Sequence, residues 1–146
     1  MKTYFALVHH DAGSAYGVTF PDWTGVFSAA DSQDGLIANA AEALQLAAEG
    51  GVLPKASSHE DLLARRGIRT ELKNGAFLIA VPFIENDPVV ERANVTFERG
   101  LLRAIDQTAR ARKTTRAGFL AQAARNEIEG REQSGARAKG KASTAA

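Results

Sequence analysis

The chain has 146 residues, of which 45% are hydrophobic and 24% are charged, and its formal net charge is +1. Such a length predicts one average globular domain or two small ones. No apolar run reaches membrane-spanning length, and the absence of cysteine excludes disulfides and thiolate metal sites. We therefore expect a cytoplasmic protein that needs no cofactor.

The charge is divided unevenly along the chain. Residues 1–84 contain six Lys and Arg against nine Asp and Glu, a net charge of −3, whereas residues 85–146 contain twelve against eight, a net charge of +4. Within residues 92–125 the count is eight against two, or +6. An acidic half followed by a basic half indicates two modules with different partners, and such a basic patch is typical of polyanion binding. A solvated helix face is the alternative explanation of that patch.

The first module contains predicted strands and one long predicted helix. Three short segments rich in aromatic and β-branched residues predict an antiparallel meander: residues 3–8, 15–20 and 25–30. An apolar stripe at helical spacing predicts a helix over residues 33–49. The nearly continuous apolar run 76–84 predicts a strand that is buried on both faces.

The connection between that helix and the last strand sets the predicted topology. Ser58 and Asp61 have the spacing of a capping box for a helix of one or two turns, which Gly67 is expected to end. A strand–helix–strand unit normally forms a right-handed crossover, which would place the fourth strand parallel to the first. We therefore predict an α+β fold with strand order 3-2-1-4 and the long helix on one face. Pro82 is expected near the end of the fourth strand.

Residues 85–91 are polar around a central proline and are interpreted as a linker. The second module is expected to span residues 92–129. The remaining residues, 130–146, lack periodicity and large apolar side chains, so they are predicted to be a disordered basic tail. The protein would thus consist of two folded modules and a tail.

The second module begins with an alternating segment, residues 92–97, whose polar face consists of Arg92, Asn94 and Thr96. When two such strands pair antiparallel across a dimer, the polar face forms a two-stranded ribbon that fits the major groove of DNA. Arg suits guanine, Asn suits adenine, and Thr can donate, accept or contact a thymine methyl group. We predict that these three residues read DNA bases. An ordinary amphipathic strand with solvated polar side chains is the alternative.

Two short amphipathic helices are predicted next, at about residues 99–110 and 116–129. Both are too small to bury their own apolar faces, so the module requires a second copy. The expected homodimer core combines apolar residues of the strand and both helices: Val95, Phe97, Leu102, Ile105, Phe119 and Leu120. Thr115 is placed to cap the second helix, and Thr115 and Arg116 are predicted to bind DNA phosphates. For Thr115, simple capping is the alternative, and the two roles are compatible.

Several motifs occur in a fixed order and spacing: YFALVHHDAGSAYGVTFPDWTG, DSQDGLIANAAEAL, LPKASSHEDLL, AFLIAVPF and then the basic strand–helix–helix segment. Together they cover roughly residues 3–129. In this respect the chain resembles the HicB family, the antitoxins of HicA–HicB toxin–antitoxin pairs, in the form with a C-terminal ribbon-helix-helix domain. It departs from the usual family pattern at TGV (24–26) and ADS (30–32). It also has Lys113 where a glycine often separates the tail helices, and Ala117 where a serine is common.

The resemblance implies a partial RNase H-like first module, with three antiparallel strands, a helix and a fourth strand parallel to the first. That module would bind and inhibit HicA, a small mRNA-cleaving toxin. The second module would dimerise and repress the operon. The implied partners are therefore a HicA-like toxin, operator double-stranded DNA and a second copy of the chain, with no membrane. Dimer and tetramer both remain open.

Two other hypotheses use residues of the first module. A metal-dependent nuclease would need converging carboxylates, and the candidates are Asp11, Asp22, Asp31 and Asp34, with His9 and His10 nearby. These Asp residues lie at predicted turns or at a helix cap, where Asp is common for backbone reasons, so we expect no catalytic or metal-binding residues. A regulator that senses a small ligand would use a pocket of aromatic side chains: Phe5, Tyr16, Phe20 and Trp23. Aromatic residues in strands more often belong to a core or an interface.

Overall fold

The computed structural model of the protein describes residues 1–130. They form two units, Met1–Asp87 and the residues from Pro88 onward, and the division falls within the segment 85–91 that the sequence marks as a linker. The predicted disordered tail, residues 130–146, lies outside the described residues except for Gly130.

The sheet of the first unit is built from the predicted segments: β1 Lys2–His9, β2 Tyr16–Thr19, β3 Phe27–Ala30 and β4 Phe77–Phe83. The strand order is β3-β2-β1-β4, as predicted, and every neighbouring pair is antiparallel. In the turn between β1 and β2, the Ser14 N–H donates to the Asp11 carbonyl at 3.0 Å. Gly13 occupies this turn with a φ of +79°, a conformation that glycine adopts without strain.

The prediction that β4 runs parallel to β1 is wrong. Lys2 pairs with Phe83 and Val8 pairs with Phe77, so the two strands are antiparallel. A simple crossover would lead the chain directly from the long helix into β4. Instead, residues 59–73 form two further helices. The chain runs the length of the sheet a second time in these helices, so β4 begins at the opposite end of the sheet from the one that a simple crossover would reach. The first unit thus lacks the parallel fourth strand of the expected partial RNase H-like arrangement.

The helices of the first unit are α1 Leu36–Ala48, which follows a 3-10 turn at Gln33–Gly35, α2 His59–Ala64 and α3 Arg66–Lys73. The predicted capping box is present, because Ser58 and Asp61 each accept the backbone N–H of the other at 3.1 Å. These hydrogen bonds hold the pKa of the Asp61 carboxyl below its usual value. The prediction that Gly67 ends this helix is wrong. Arg65, with an extended ψ of 122°, interrupts the helical path, and Gly67 lies in the first turn of α3.

Helices lie on both faces of the sheet. The β1 side chains that share a hydrophobic core with α1 are Tyr4, Ala6 and Val8. Alternate residues of a strand point the other way. On that opposite face, the ring centroids of Phe5 and His59 lie 5.8 Å apart, and His9 Nε2 lies 2.7 Å from Glu71 Oε2. Helices α2 and α3 therefore pack against the face that α1 leaves open.

The core between the sheet and α1 is centred on aromatic rings. The Tyr4 ring makes edge contacts with Trp23 and Phe83, at centroid distances of 5.2 and 5.7 Å. The Tyr4 hydroxyl donates to the Pro54 carbonyl at 2.7 Å, which ties the connection after α1 to this core. The expectation that β4 is buried on both faces is only half right. Val81 and Phe83 are buried toward α1, but Ala80 on the other face is exposed because the two short helices cover an edge strand incompletely. As predicted, Pro82 lies next to the end of β4.

The second unit contains the two predicted helices, α4 Arg99–Ala111 and α5 Arg116–Ile128. The strand predicted over residues 92–97 is not formed in the single chain. A strand exists only through ladder hydrogen bonds to a neighbour, and no described residue pairs with this segment.

Candidate nucleic-acid interface

The turn between α4 and α5 is closed by backbone hydrogen bonds. The Thr114 N–H donates to the Ala109 carbonyl at 2.9 Å, and the Lys113 N–H donates to the Arg110 carbonyl at 3.0 Å. This pair is the Schellman pattern that ends many helices. It requires a left-handed residue, and Lys113 has a φ of +54°. The left-handed conformation at the family's glycine position is thus present, at a cost of roughly 1 kcal/mol for a non-glycine residue.

Thr115 caps α5, which confirms its predicted structural role. Its Oγ1 accepts the Gly118 N–H at 3.0 Å. Gly118 is a residue that the sequence reasoning missed. A Cβ atom at this position would lie 2.8 Å from Thr114 Oγ1 and 3.2 Å from Thr115 Oγ1, so the cap needs the space that glycine leaves. A glycine in the first turn of a helical pattern is the signal that would have identified it.

Arg116 forms a bidentate ion pair with Asp106 of α4. Its Nε and Nη2 each donate to one carboxylate oxygen at 2.7 Å. The hydrogen bond from Arg116 holds the pKa of the Asp106 carboxyl below its usual value, and Asp106 in turn raises the pKa of Arg116. The pair ties the start of α5 to α4 and uses two of the five N–H donors of the guanidinium group that was predicted to bind phosphate. Sequence spacing did not reveal Asp106, because the two residues lie on different helices.

Three further basic residues lie at the turn between the helices: Arg110, Arg112 and Lys113. The Arg112 guanidinium carbon lies 5.5 Å from the centroid of the Phe119 ring, a cation–π distance. Lys113 beside it is exposed, and so are all three residues predicted to read bases: Arg92, Asn94 and Thr96. The surface is therefore open to a polyanion, whereas the ribbon geometry needed for base reading depends on a second strand.

The apolar side chains of the predicted dimer core are mostly uncovered in the single chain. Ile105 is buried, whereas Phe97, Leu102, Phe119 and Leu120 are half-buried and Val95 is 69% exposed. Leu101 of α4 is also exposed. Within residues 88–130, Ile105 and Ala109 are thus the only buried apolar residues of the helix pair, and its other large apolar side chains are at most half-buried.

The acidic residues considered for metal binding do not converge. Asp22 accepts the N–H and the hydroxyl of Ser57, at 2.8 and 2.6 Å, and Arg65 donates to it at 3.3 Å. Its carboxylate therefore anchors the connection before α2 to the turn after β2. Across residues 1–130, no group of three His, Asp or Glu side chains is arranged to hold a metal ion.

The aromatic residues considered for a ligand pocket do not all lie on one face of the sheet. Phe20 and Trp23 are buried in the core, and Tyr16 stacks on His10 with ring centroids 3.9 Å apart. Phe5 points to the other face of the sheet, against His59. Tyr16, Phe20 and Trp23 therefore contribute to one hydrophobic core, and Phe5 lies on the other face of the sheet.

A family model for HicB-like antitoxins of bacterial toxin–antitoxin systems matches residues 4–124. The chain belongs to this family. The match extends over the sheet, the linker and the helix pair, so it includes both units of this HicB-like antitoxin. Among curated proteins, no sequence matches the chain significantly.

Several solved antitoxin structures are similar to the chain in sequence. The HicB-like chain is 35% identical to antitoxin HicB of Burkholderia pseudomallei, over 88% of this chain and 99% of that chain, with a TM-score of 0.49. Antitoxin HicB3 is 24% identical over 87% and 98% of the two chains, with a TM-score of 0.49. A chain of the HicA3–HicB3 toxin–antitoxin complex is 22% identical over 57% and 100%, with a TM-score of 0.46. Within the described part of the antitoxin, every helix is too short or too polar to cross a membrane.

Proposed function

We propose that this HicB-like antitoxin binds and neutralises a HicA-type, mRNA-cleaving toxin in the cytoplasm, and that it represses its own operon as a ribbon-helix-helix dimer. The family match over residues 4–124 is the observation that carries the proposal. One related chain was solved in a HicA3–HicB3 complex, and the same kind of partner is proposed for this chain. Both activities are binding activities, so the protein acts without catalysing a reaction.

The homodimer is supported by the uncovered apolar surface of the second unit. Burying a side chain of the size of Val95 or Leu102 contributes about 1.5–3 kcal/mol. A second copy supplies both the apolar surface that the helix pair lacks and the partner strand that residues 92–97 lack. Closed two-fold assembly is the usual way in which identical chains satisfy such a requirement. Two such dimers joined through the first units would give the tetramer.

DNA binding is supported by the charge and exposure of the same unit. Its net charge of +6 over residues 92–125 favours association with phosphates. In the proposed ribbon, Arg92, Asn94 and Thr96 from each copy enter the major groove and read bases. Thr115 and Arg116 at the start of α5 hold flanking phosphates, and Arg116 remains paired with Asp106 or exchanges it for phosphate on binding.

Toxin neutralisation is assigned to the first unit. Residues 1–84 carry a net charge of −3, which complements the basic surface that an RNA-cleaving protein needs in order to hold its substrate. Binding over that surface excludes RNA. Because the first unit completes its own hydrophobic core, it presents this surface without help from the second unit.

The test uses a HicA-type toxin, which is to be sought as the product of a gene adjacent to that of this chain. Mixing the two purified proteins is expected to give a stable complex and to abolish cleavage of an mRNA substrate in vitro. Removing residues 88–146 is expected to abolish operator binding and to leave neutralisation largely intact, since the remaining residues form a complete unit.

Two results would contradict the proposal. The antitoxin role fails if the toxin cleaves RNA unhindered when this protein is in excess. The assignment of roles to separate units fails if the chain without residues 88–146 folds but no longer neutralises the toxin.

A further inference from the structure

An open groove of about 310 Å³ lies along one edge of the first unit, between β3 and α1. We name it the edge groove, and its lining residues are Ser28, Ala29, Asn39, Glu42, Ala43 and Leu46. In the described sheet β3 is an edge strand, and the Asn39 amide donates to the Ala29 carbonyl at 2.8 Å. Because the Ala29 carbonyl already accepts this hydrogen bond, a partner would contact the groove through its side chains more than through the backbone of β3.

One large apolar side chain is exposed at the groove. Leu46 is 63% exposed. The core beneath α1 does not use it, since that helix contributes other residues such as Leu44. Exposed apolar side chains beside a concave surface mark interaction sites.

The charge around the edge groove has one sign. Residues 3–54, which contain β1, β2, β3 and α1, include six Asp and Glu and no Lys or Arg. Glu42 lies in the groove, and Glu49 follows two helical turns later, about 10 Å along the same side of the helix. The basic residues near α2 and α3 belong to the other face of the sheet: Arg65, Arg66, Arg69 and Lys73. Glu42 in α1 and Glu49 at its C-terminal end therefore lie in a stretch of the chain that has no Lys or Arg.

We propose that the edge groove is the surface on which the HicA-type toxin docks, an inference that rests on the proposed function. Leu46 serves as the apolar anchor, and Glu42 and Glu49 pair with Lys or Arg side chains of the toxin. A nucleic acid does not fit this groove, because its carboxylates repel phosphates. A second copy docked through the same surface would bring like charges together. A basic protein with an apolar contact patch matches both the charge and the exposed side chains.

The proposal is tested by isothermal titration calorimetry, with full-length variants of this chain and a catalytically inactive form of the HicA-type toxin. Glu42→Lys is expected to weaken toxin binding about tenfold or more, and Leu46→Ala about fivefold. Matched controls on the other face are Glu60→Lys and Leu63→Ala in α2, which are exposed and lie outside the groove. Both controls are expected to stay within about twofold of the unaltered chain. Circular dichroism confirms that each variant is folded.

The outcomes separate this inference from the proposed function. If the unaltered chain does not bind the toxin, the proposed function fails and the docking surface fails with it. If it binds, and Glu42→Lys and Leu46→Ala bind equally well, the edge groove is not the docking surface although the antitoxin role stands. An equal loss in Glu60→Lys would indicate general electrostatic attraction and would also overturn the proposal. A change in oligomer mass without a change in toxin affinity would instead assign the groove to contacts between copies.

Discussion

The two units of this antitoxin differ in how they bury their apolar residues. Of the eighteen buried hydrophobic side chains in residues 1–130, sixteen lie in the first unit and two in the second. The first unit encloses Tyr4, Trp23 and Phe83 between a sheet and a helix. The second unit exposes Val95 and leaves Phe119 half-buried. One unit is therefore stable through its own core, whereas the other is expected to gain its stability from assembly.

This difference has a functional consequence. A unit that completes its own core can bind a toxin as a single copy, at any protein concentration at which the chain is folded. A unit that depends on a second copy would form the proposed DNA-reading ribbon only when enough antitoxin is present. Repression would then respond to the supply of antitoxin, while neutralisation would not.

The strongest test of the self-contained core is Leu44→Ala. Leu44 is fully buried in the core under α1, so its truncation is expected to cost about 2–5 kcal/mol in the free energy of unfolding. The fluorescence of Trp23, the single Trp of the chain and a part of the same core, follows this unit alone during denaturation by urea.

Leu46→Ala in the same helix is the matched control. Its side chain is largely exposed, so the urea midpoint should shift little. Equal shifts of the urea midpoint in both variants would contradict the claim that the first unit is stabilised by its own core, because a buried and an exposed leucine would then contribute equally. The contrast between the two units would also be contradicted if Leu44→Ala abolished operator binding while the first unit was still folded.

The second prediction concerns Asn94. Asn94→Ala is expected to weaken operator binding by about 1–3 kcal/mol, because the bidentate contact to an adenine is lost, and to leave the dimer folded. Affinities for operator and for random DNA, measured by fluorescence anisotropy at one salt concentration, separate base reading from phosphate attraction. Equal weakening on both DNAs would contradict base reading by Asn94.

A smaller effect is expected for Val95, and it tests assembly directly. Val95 is 69% exposed in the single chain, so Val95→Ala should be nearly neutral in a monomer. If a second copy buries it, the substitution is expected to cost about 1–2 kcal/mol per chain in dimer stability. Dimer dissociation followed by analytical ultracentrifugation measures the difference. Val90→Ala, at a residue that is 94% exposed in the same unit, provides the control. Identical dissociation constants for both variants would argue against the proposed dimer core.

Much of the fold follows from local patterns in the sequence. The hydrophobic period locates the strands, the helix α1 and the helices α4 and α5 to within a few residues. The capping atoms of Ser58 and Thr115 are also predictable, because a cap depends on residues three positions apart. These features share one property, which is that the interacting groups are close in sequence.

The features that the sequence reasoning missed depend on distant residues. The direction of β4 follows from the passage of α2 and α3 over the second face of the sheet, which no local pattern encodes. The contact of Asp22 with Arg65 joins residues 43 positions apart. The strand predicted at residues 92–97 is not formed in the single chain, and in the proposed dimer it would need a second molecule. It is absent because no neighbouring strand is available to it among the described residues, and this lack of a neighbour is also a reason to expect the dimer.

The smallest expected effect concerns pH and the ion pair between Asp106 and Arg116 in the second unit. The hydrogen bond from Arg116 lowers the pKa of Asp106 in the folded state. A carboxyl group with a lowered pKa stabilises the fold above its ordinary pKa, and this contribution is lost as the pH falls through the folded-state value. The pair is partly exposed, so solvent screening keeps its effect modest.

The difference in helix stability between the unaltered chain and Asp106→Asn should therefore be present at neutral pH. It should begin to decline near the ordinary pKa of Asp, at about 4, and disappear as the pH falls through the lowered pKa of Asp106. Circular dichroism at 222 nm during thermal unfolding, repeated across this pH range, measures that difference. The subtraction removes the titration of all other carboxyl groups, which the two proteins share. A difference that stays constant down to acidic pH would mean that Asp106 acts through its shape and hydrogen bonds, without its charge. In that case the link between α4 and α5 would not depend on the ion pair.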